Sequence, residues 1–224
     1  LDMKYKLLIY KGDNNNALDC LKLLHKKYPS VSTAREISNH YLDLDDHEKA
    51  DQTIQDFIES DKTYSELYKG IRHVKANRDR EAEKAYKNVL KKDKNNVDAL
   101  RLLGLLATKN RKYSVAEKLF TRAINLQPYY KLLWDNLAKC YRFQNKLTEA
   151  KKAFTNLLKL DPNNFEAIGA SATMSIRLGQ YKEGIQLYKE LLQFQNNNPR
   201  VHLSMGHAYK TIGERSNSEN AYHK

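Results

Sequence analysis

Cysteine occurs only twice in 224 residues, at Cys20 and Cys140, too few for a disulfide framework or a four-thiol zinc site. So little cysteine reads as a reducing compartment or as indifference to redox, and the chain is expected to be cytoplasmic. Glycine (8) and proline (4) are scarce as well, too few to punctuate a β-sandwich, so composition favours helices. Long apolar runs are missing: no window reaches the roughly 18 uncharged apolar residues of a membrane span, which predicts a soluble chain without a membrane partner. Leu1-Asp2-Met3-Lys4 does not open a charged region followed by an apolar stretch and a small-residue cleavage site, so no export signal is expected. There is no Gly-x-Gly-x-x-Gly, no Walker loop and no Gly-x-Ser-x-Gly elbow, which argues against a phosphate cradle. Among the seven histidines no His-Glu-x-x-His pair occurs, and His202 and His207 are five apart, about 140° around a helix. The reading from these absences is a non-catalytic chain with no cofactor, no metal site and no catalytic residue.

Repetition is what the sequence has in abundance. Small residues recur every 34 positions at Gly70, Gly104, Ala138, Ala172 and Gly206, and a second series follows twelve later at Ala82, Ala116, Ala150, Gly184 and Ser218. Aromatics come four later still, at Tyr86, Phe120, Phe154, Tyr188 and Tyr222. Upstream, Ala17 and Ala50 continue the trace with spacings of 33 and 32, so about seven units fit, the first and last incomplete. Within a unit, Leu100, Leu103, Gly104 and Ala107, then Ala116, Phe120 and Ala123, each fall on one stripe of a 3.6-residue helix. A unit is therefore two amphipathic helices, with small residues where they approach. Counting units from Thr63, Val97, Lys131, Phe165 and Pro199, the fifteenth position reads Asn77, Arg111, Asn145, Gly179 and Gly213, with Gly12 and Asp45 equivalent upstream. Apart from Arg111 these residues tolerate the left-handed conformation that ends a helix, which predicts the turn inside each hairpin. Between units, Pro29, Pro128 and Pro162 stop the second helix, and Asp-Pro-Asn-Asn at 161–164 offers caps to the next. Cys140 is read as a packing thiol, Trp134 as core, and the aromatic ladder as packing rather than a base-stacking platform.

This pattern of Trp, Leu-Gly, Tyr, Ala, Phe, Ala and Pro over 34 residues resembles the tetratricopeptide repeat, most strongly from Tyr64 to Pro162 and more loosely over 1–62. The resemblance implies an all-α, right-handed superhelical solenoid of antiparallel helix pairs, the first helix of each pair lining a concave groove. Stacking follows independently, because one hairpin cannot bury its stripe alone. Residues 1–62 are expected to form two divergent units and 63–224 five regular ones, the last truncated. A weaker resemblance, over Arg177 to Gly213, is to the repeats that precede the catalytic domain in bacterial tetratricopeptide–sulfotransferase fusion proteins. It implies, as the alternative function, a substrate-recruiting arm of a sulfotransferase or glycosyltransferase whose catalytic domain is absent from these residues.

With positions 4, 7, 8 and 11 of the first helix in the core, 100° per residue leaves positions 2, 5, 6, 9, 12 and 13 on the opposite face. The candidate binding residues there are Arg101, Lys109, Asn136, Lys139, Arg142, Arg177, His207 and Lys210. Arg forks with aliphatic rows between them suit an acidic peptide or protein segment. The third unit presents Tyr64, Leu67, Tyr68, Ile71 and Val74, an apolar anchor pocket or a contact with the irregular second unit. Chaperone-binding relatives of this repeat hold a peptide carboxylate with a Lys and Asn clamp; Arg101 and Leu105, then Glu166 and Ala170, break that pattern on either side of Asn136 and Lys139. The formal charge is graded: 9 basic and 12 acidic residues over 1–62, 16 and 7 over 63–130, 14 and 8 over 131–224. The groove share of that charge favours an acidic protein partner over nucleic acid. Self-association is expected through a C-terminal end exposing Met205, Tyr209 and Tyr222.

Overall fold

The computed structural model describes residues 7–8, 10, 13–27, 31–195 and 198–223, so Gly12 and Pro29 lie outside the described residues. Thirteen helices run from Asn14 to Tyr222, with no strand among the described residues. In order they are α1 (Asn14–Lys27), α2 (Val31–Asp43), α3 (His47–Ser60), α4 (Lys62–Lys75), α5 (Asp79–Lys92), α6 (Val97–Lys109), α7 (Tyr113–Leu126), α8 (Lys131–Phe143), α9 (Leu147–Leu160), α10 (Phe165–Arg177), α11 (Tyr181–Phe194), α12 (Pro199–Thr211) and α13 (Arg215–Tyr222). They divide into two compact units, Leu1–Val89 and Leu90–Lys224.

The fifteenth position has the conformation its residues imply. Asp45, Asn77, Arg111 and Asn145 have φ between 55° and 59°, and Gly179 and Gly213 have 77° and 82°. After each, the next backbone N–H returns to the carbonyl five residues back, as in Lys112 to Ala107 (2.8 Å) and Gln180 to Ser175 (2.8 Å). This is the Schellman closure, repeated six times, and it satisfies carbonyls that the helix end would leave unpaired. At the opposite ends, α6 and α10 are capped by side chains: Asn96 accepts from the Ala99 N–H (2.9 Å) and Asn164 from Ala167 (3.0 Å), whereas Tyr130 before α8 makes no such bond.

Between the helices of a hairpin, the small residue admits the aromatic. A β-carbon placed on Gly104 would stand 2.6 Å from Phe120, and those on Gly70 and Gly206 would collide with the rings of Tyr86 and Tyr222. Phe120 and Phe154 are completely buried, each contributing about 1.5–3 kcal/mol of transfer free energy. In the first unit, Leu67 is buried and Phe57 packs on Tyr64 with ring centroids 4.9 Å apart, which makes part of the apolar row a contact between consecutive repeats.

The buried stripe is wider than positions 4, 7, 8 and 11. Position 3 (Ala99, Leu133, Ala167, Val201) and position 10 (Leu106, Cys140, Met174, Ala208) are buried too. Within Leu90–Lys224, α8, α10 and α12 each pack on the second helix of the preceding repeat as well as on their own partner. Cys140 illustrates this, its Sγ donating to the Tyr113 carbonyl at 3.4 Å. Trp134, read as core, is only half-buried; its indole N–H donates to the Pro128 carbonyl (2.8 Å), holding the chain between repeats.

The end of the second unit corrects one expectation. Met205 and Tyr209 are 6% exposed, covered within their own repeat and by α11, and of the three named residues Tyr222 alone is exposed. Of the apolar end on which self-association was argued, only Tyr222 is exposed among the described residues.

Candidate functional site

The face opposite the buried stripe in Leu90–Lys224 is built by α6, α8, α10 and α12. Residues 90–224 hold 23 Lys and Arg against 11 Asp and Glu, while residues 1–89 hold 16 of each, so the whole formal +12 belongs to this unit.

The candidate residues fall into two groups. Arg101 and Lys139 lie inside the face and are neutralised there. Arg101 is 20% exposed, 3.7 Å from Asp98, with a buried and unpartnered Nε. Lys139, 30% exposed, meets Asp135 at 2.9 Å on its own helix and Glu166 at 3.0 Å on the next repeat. Burial disfavours the Lys139 ammonium, but hydrogen bonds to the two carboxylates outweigh it and hold its pKa above the ordinary lysine value. Asn136 is half-buried beside them.

Lys109, Arg142, Arg177 and Lys210 are exposed in the last turns of α6, α8, α10 and α12, where the helix dipole favours cations. Arg177 donates to the Asn145 side-chain carbonyl (2.7 Å) of the preceding repeat's turn, so consecutive turns line one edge. Arg142 lies 5.9 Å from the Phe143 ring, and neither it nor Lys210 has a carboxylate partner among the described residues. Arg111 and Lys112 extend the same edge. On the same face Leu105, Leu132, Phe143 and Leu203 are exposed, at the ninth, second, thirteenth and fifth positions of their repeats. His207 stands apart, its Nδ1 3.0 Å from the Tyr222 hydroxyl.

Sequence reasoning missed a cleft of about 420 Å³ on this face, between α10 and α12 and floored by α11. Phe165, Glu166, Gly169 and Thr173 form one side, Arg200, Val201 and Ser204 the other, with Tyr188 and Leu191 beneath. The signal was Gly169 at position 5, where the neighbouring repeats carry Arg101, Asp135 and Leu203. A missing side chain at one register of an otherwise filled face leaves a dent.

Elsewhere, burial pushes the Cys140 thiol pKa up, which suits packing rather than nucleophilic chemistry. No group of three or more metal-ligating side chains occurs among the described residues, and no described helix is long and apolar enough to cross a membrane.

The tetratricopeptide repeat family matches this chain over residues 68–131 and again over 144–208. The tetratricopeptide repeat-containing protein trd-1 of Caenorhabditis elegans is 27% identical over 184 residues, 82% of this chain and 23% of its own length. Hsp70-Hsp90 organizing protein 1 of Glycine max is 27% identical over 124 residues, 54% of this chain and 22% of its own. The chain thus spans under a quarter of either relative. Among solved structures, a crystal structure of MamA protein superposes with a TM-score of 0.67 at 20% identity, over 72% of this chain and 88% of MamA, a likeness of fold. None of these is a sulfotransferase.

Proposed function

We propose, since the chain belongs to the tetratricopeptide repeat family, that it is a protein-interaction scaffold whose first-helix face in Leu90–Lys224 takes an acidic segment of a partner. The observation that carries the acidic specificity is the division of the face. Arg142 and Lys210 are exposed and unpaired at its edge, whereas Lys139 is consumed by Asp135 and Glu166. These open cations share the last-turn edge, and Leu105, Leu132, Phe143 and Leu203 are exposed on the same face. An amphipathic segment with carboxylates along one flank fits both features.

The relation to Hsp70-Hsp90 organizing protein does not extend this reading to capture of a chaperone tail. Asn136 and Lys139 sit near such a clamp, but an acidic residue of the next repeat occupies Lys139. The second reading, a substrate-recruiting arm for a catalytic domain, rests on the 23% and 22% of its relatives' lengths that the chain spans. Activity assays on a longer protein with and without these repeats separate it from the first.

Fluorescence anisotropy tests the leading reading, using a labelled amphipathic Glu/Asp peptide and its Gln/Asn counterpart. The acidic peptide binds more tightly, the difference shrinks with salt, and Arg142→Ala with Lys210→Ala lowers its affinity about two- to tenfold, as rim charges do. Equal binding of both peptides, or an unchanged affinity in the double variant, rejects it.

A further inference from the structure

We infer that the cleft over Gly169 is a specificity pocket for an aromatic side chain that carries a hydrogen-bond donor, a tyrosine or tryptophan of the partner segment. This rests on the proposed binding face and adds to it the chemistry of one side chain.

Size gives the first limit. About 420 Å³ lies at the low end of the roughly 300–1,000 Å³ of ligand pockets, enough for a single ring system and its linker. The space exists because position 5 of α10 is glycine: a β-carbon there meets only the flexible end of Leu191, at 3.3 Å, so nothing in the core requires Gly169. Phe165 lines the mouth and pairs with Phe194, ring centroids 5.0 Å apart and tilted. Both rings are exposed, which leaves an aromatic wall on which an incoming ring can pack edge to face.

The hydroxyl protons give the second limit. Thr173 Oγ1 donates to the Gly169 carbonyl at 2.9 Å, so in its 2.9 Å contact with Tyr188 it is the acceptor and the Tyr188 O–H is the donor. Ser204 Oγ donates to the Arg200 carbonyl at 2.8 Å. All three protons are spent on the protein itself. Thr173, Tyr188 and Ser204 therefore offer the cleft oxygen lone pairs, while Glu166 at its rim has one oxygen paired with Lys139. With Tyr188 beneath and Thr173 and Ser204 on the two sides, these acceptors take a phenol O–H or an indole N–H, to which a plain phenyl ring has nothing to give; the donors of Gln195, Asn198 and Arg200 stand elsewhere on the lining. Arg200 on the facing side disfavours a cationic side chain, which would otherwise be the alternative donor.

Small probes test the pocket without the partner. In amide NMR titrations, p-cresol and indole shift Gly169, Thr173 and Ser204, while 4-methylanisole and N-methylindole, with the same rings and the donor blocked, bind about fivefold more weakly. Gly169→Leu fills the cleft and abolishes these shifts. Because glycine is a poor helix former, the variant retains its thermal midpoint, so lost binding cannot be lost folding. Equal binding of methylated and parent probes, shifts that survive in Gly169→Leu, or no shift with any probe overturns the inference. The acidic-peptide experiment with Arg142 and Lys210 reads out the face separately, so either result can fail without the other.

Discussion

Replacing Gly104 with alanine sets two known effects against each other. A mid-helix Gly→Ala change ordinarily stabilises by about 0.5–1 kcal/mol, because alanine loses less backbone freedom on folding. Here the new methyl would stand 2.6 Å from one Phe120 carbon and 2.9 Å from two others, against ordinary contacts beginning near 3.4 Å. Ring or helix must retreat by about 0.8 Å. Phe120 is fully buried among Leu100, Ala116, Ala123 and Leu133, so it has no solvent side to swing into. Overpacking of this kind costs about 1–3 kcal/mol, which exceeds the propensity gain and leaves a net loss of about 1 kcal/mol. Gly169→Ala is the control: the same change in the same kind of helix meets only Leu191 at 3.3 Å and should be neutral or stabilising. Hydrogen exchange of the α6–α7 amides is the better assay, since unfolding of repeat arrays is not reliably two-state. Shrinking the ring with Phe120→Leu should cost less in the Gly104→Ala background than in the parent, a coupling of at least about 0.5 kcal/mol. Parallel shifts for the two glycine variants, or strict additivity with Phe120→Leu, would refute the steric account.

Three further outcomes follow from features already described. Arg111 holds a left-handed conformation (φ 57°) in which its counterparts are Asn, Asp or Gly, so Arg111→Gly raises stability by roughly 0.5–1 kcal/mol, read as a higher urea midpoint. Glu117 accepts from Lys146 (2.8 Å) and Gln144 (3.1 Å) across a repeat boundary; burial pushes its pKa up, but these bonds outweigh it and hold it below the ordinary glutamate value. Since the folded pKa is the lower one, that stabilisation is present above about pH 4.3 and is lost as pH falls through the folded value, so Glu117→Gln costs about 1 kcal/mol at pH 7 and progressively less as the carboxylate is protonated; a gap independent of pH contradicts this. Cys140, buried and with a raised pKa, should react with a thiol reagent only at the rate of local opening and rapidly in denaturant, and fast native labelling would show the thiol to be accessible.

The hairpin was legible because its determinants are local or strictly periodic. Positive φ follows from Asn, Asp and Gly at one register, and the close approach to the ladder aromatic from a small residue sixteen earlier, glycine at Gly70, Gly104 and Gly206 and alanine at Ala138 and Ala172. Burial at positions 3 and 10 was not, because a single stripe was assigned to a helix with two neighbours. The same oversight hid the pairing of Lys139. Contacts to the adjacent repeat recur at a separation of 27, as in Cys140 with Tyr113, Gln144 with Glu117, and Lys139 with Glu166. Opposite charges sought at that offset would have removed Lys139 from the open cations. The cleft needed something the residues announce only by omission, a side chain absent over a floor whose hydroxyls had already spent their protons.

The ladder aromatics of the last two repeats have a consequence for how this family member can diverge. Tyr188 and Tyr222 anchor their hairpins from the second helix, and their hydroxyls emerge beside Thr173 and His207 on the first-helix face. Phe120 and Phe154 hold the same register with no such reach. In repeats four and five, recognition can drift while the core stays fixed. In repeats six and seven one residue answers to both selections, so a change of partner there must pass through the packing of the hairpin itself.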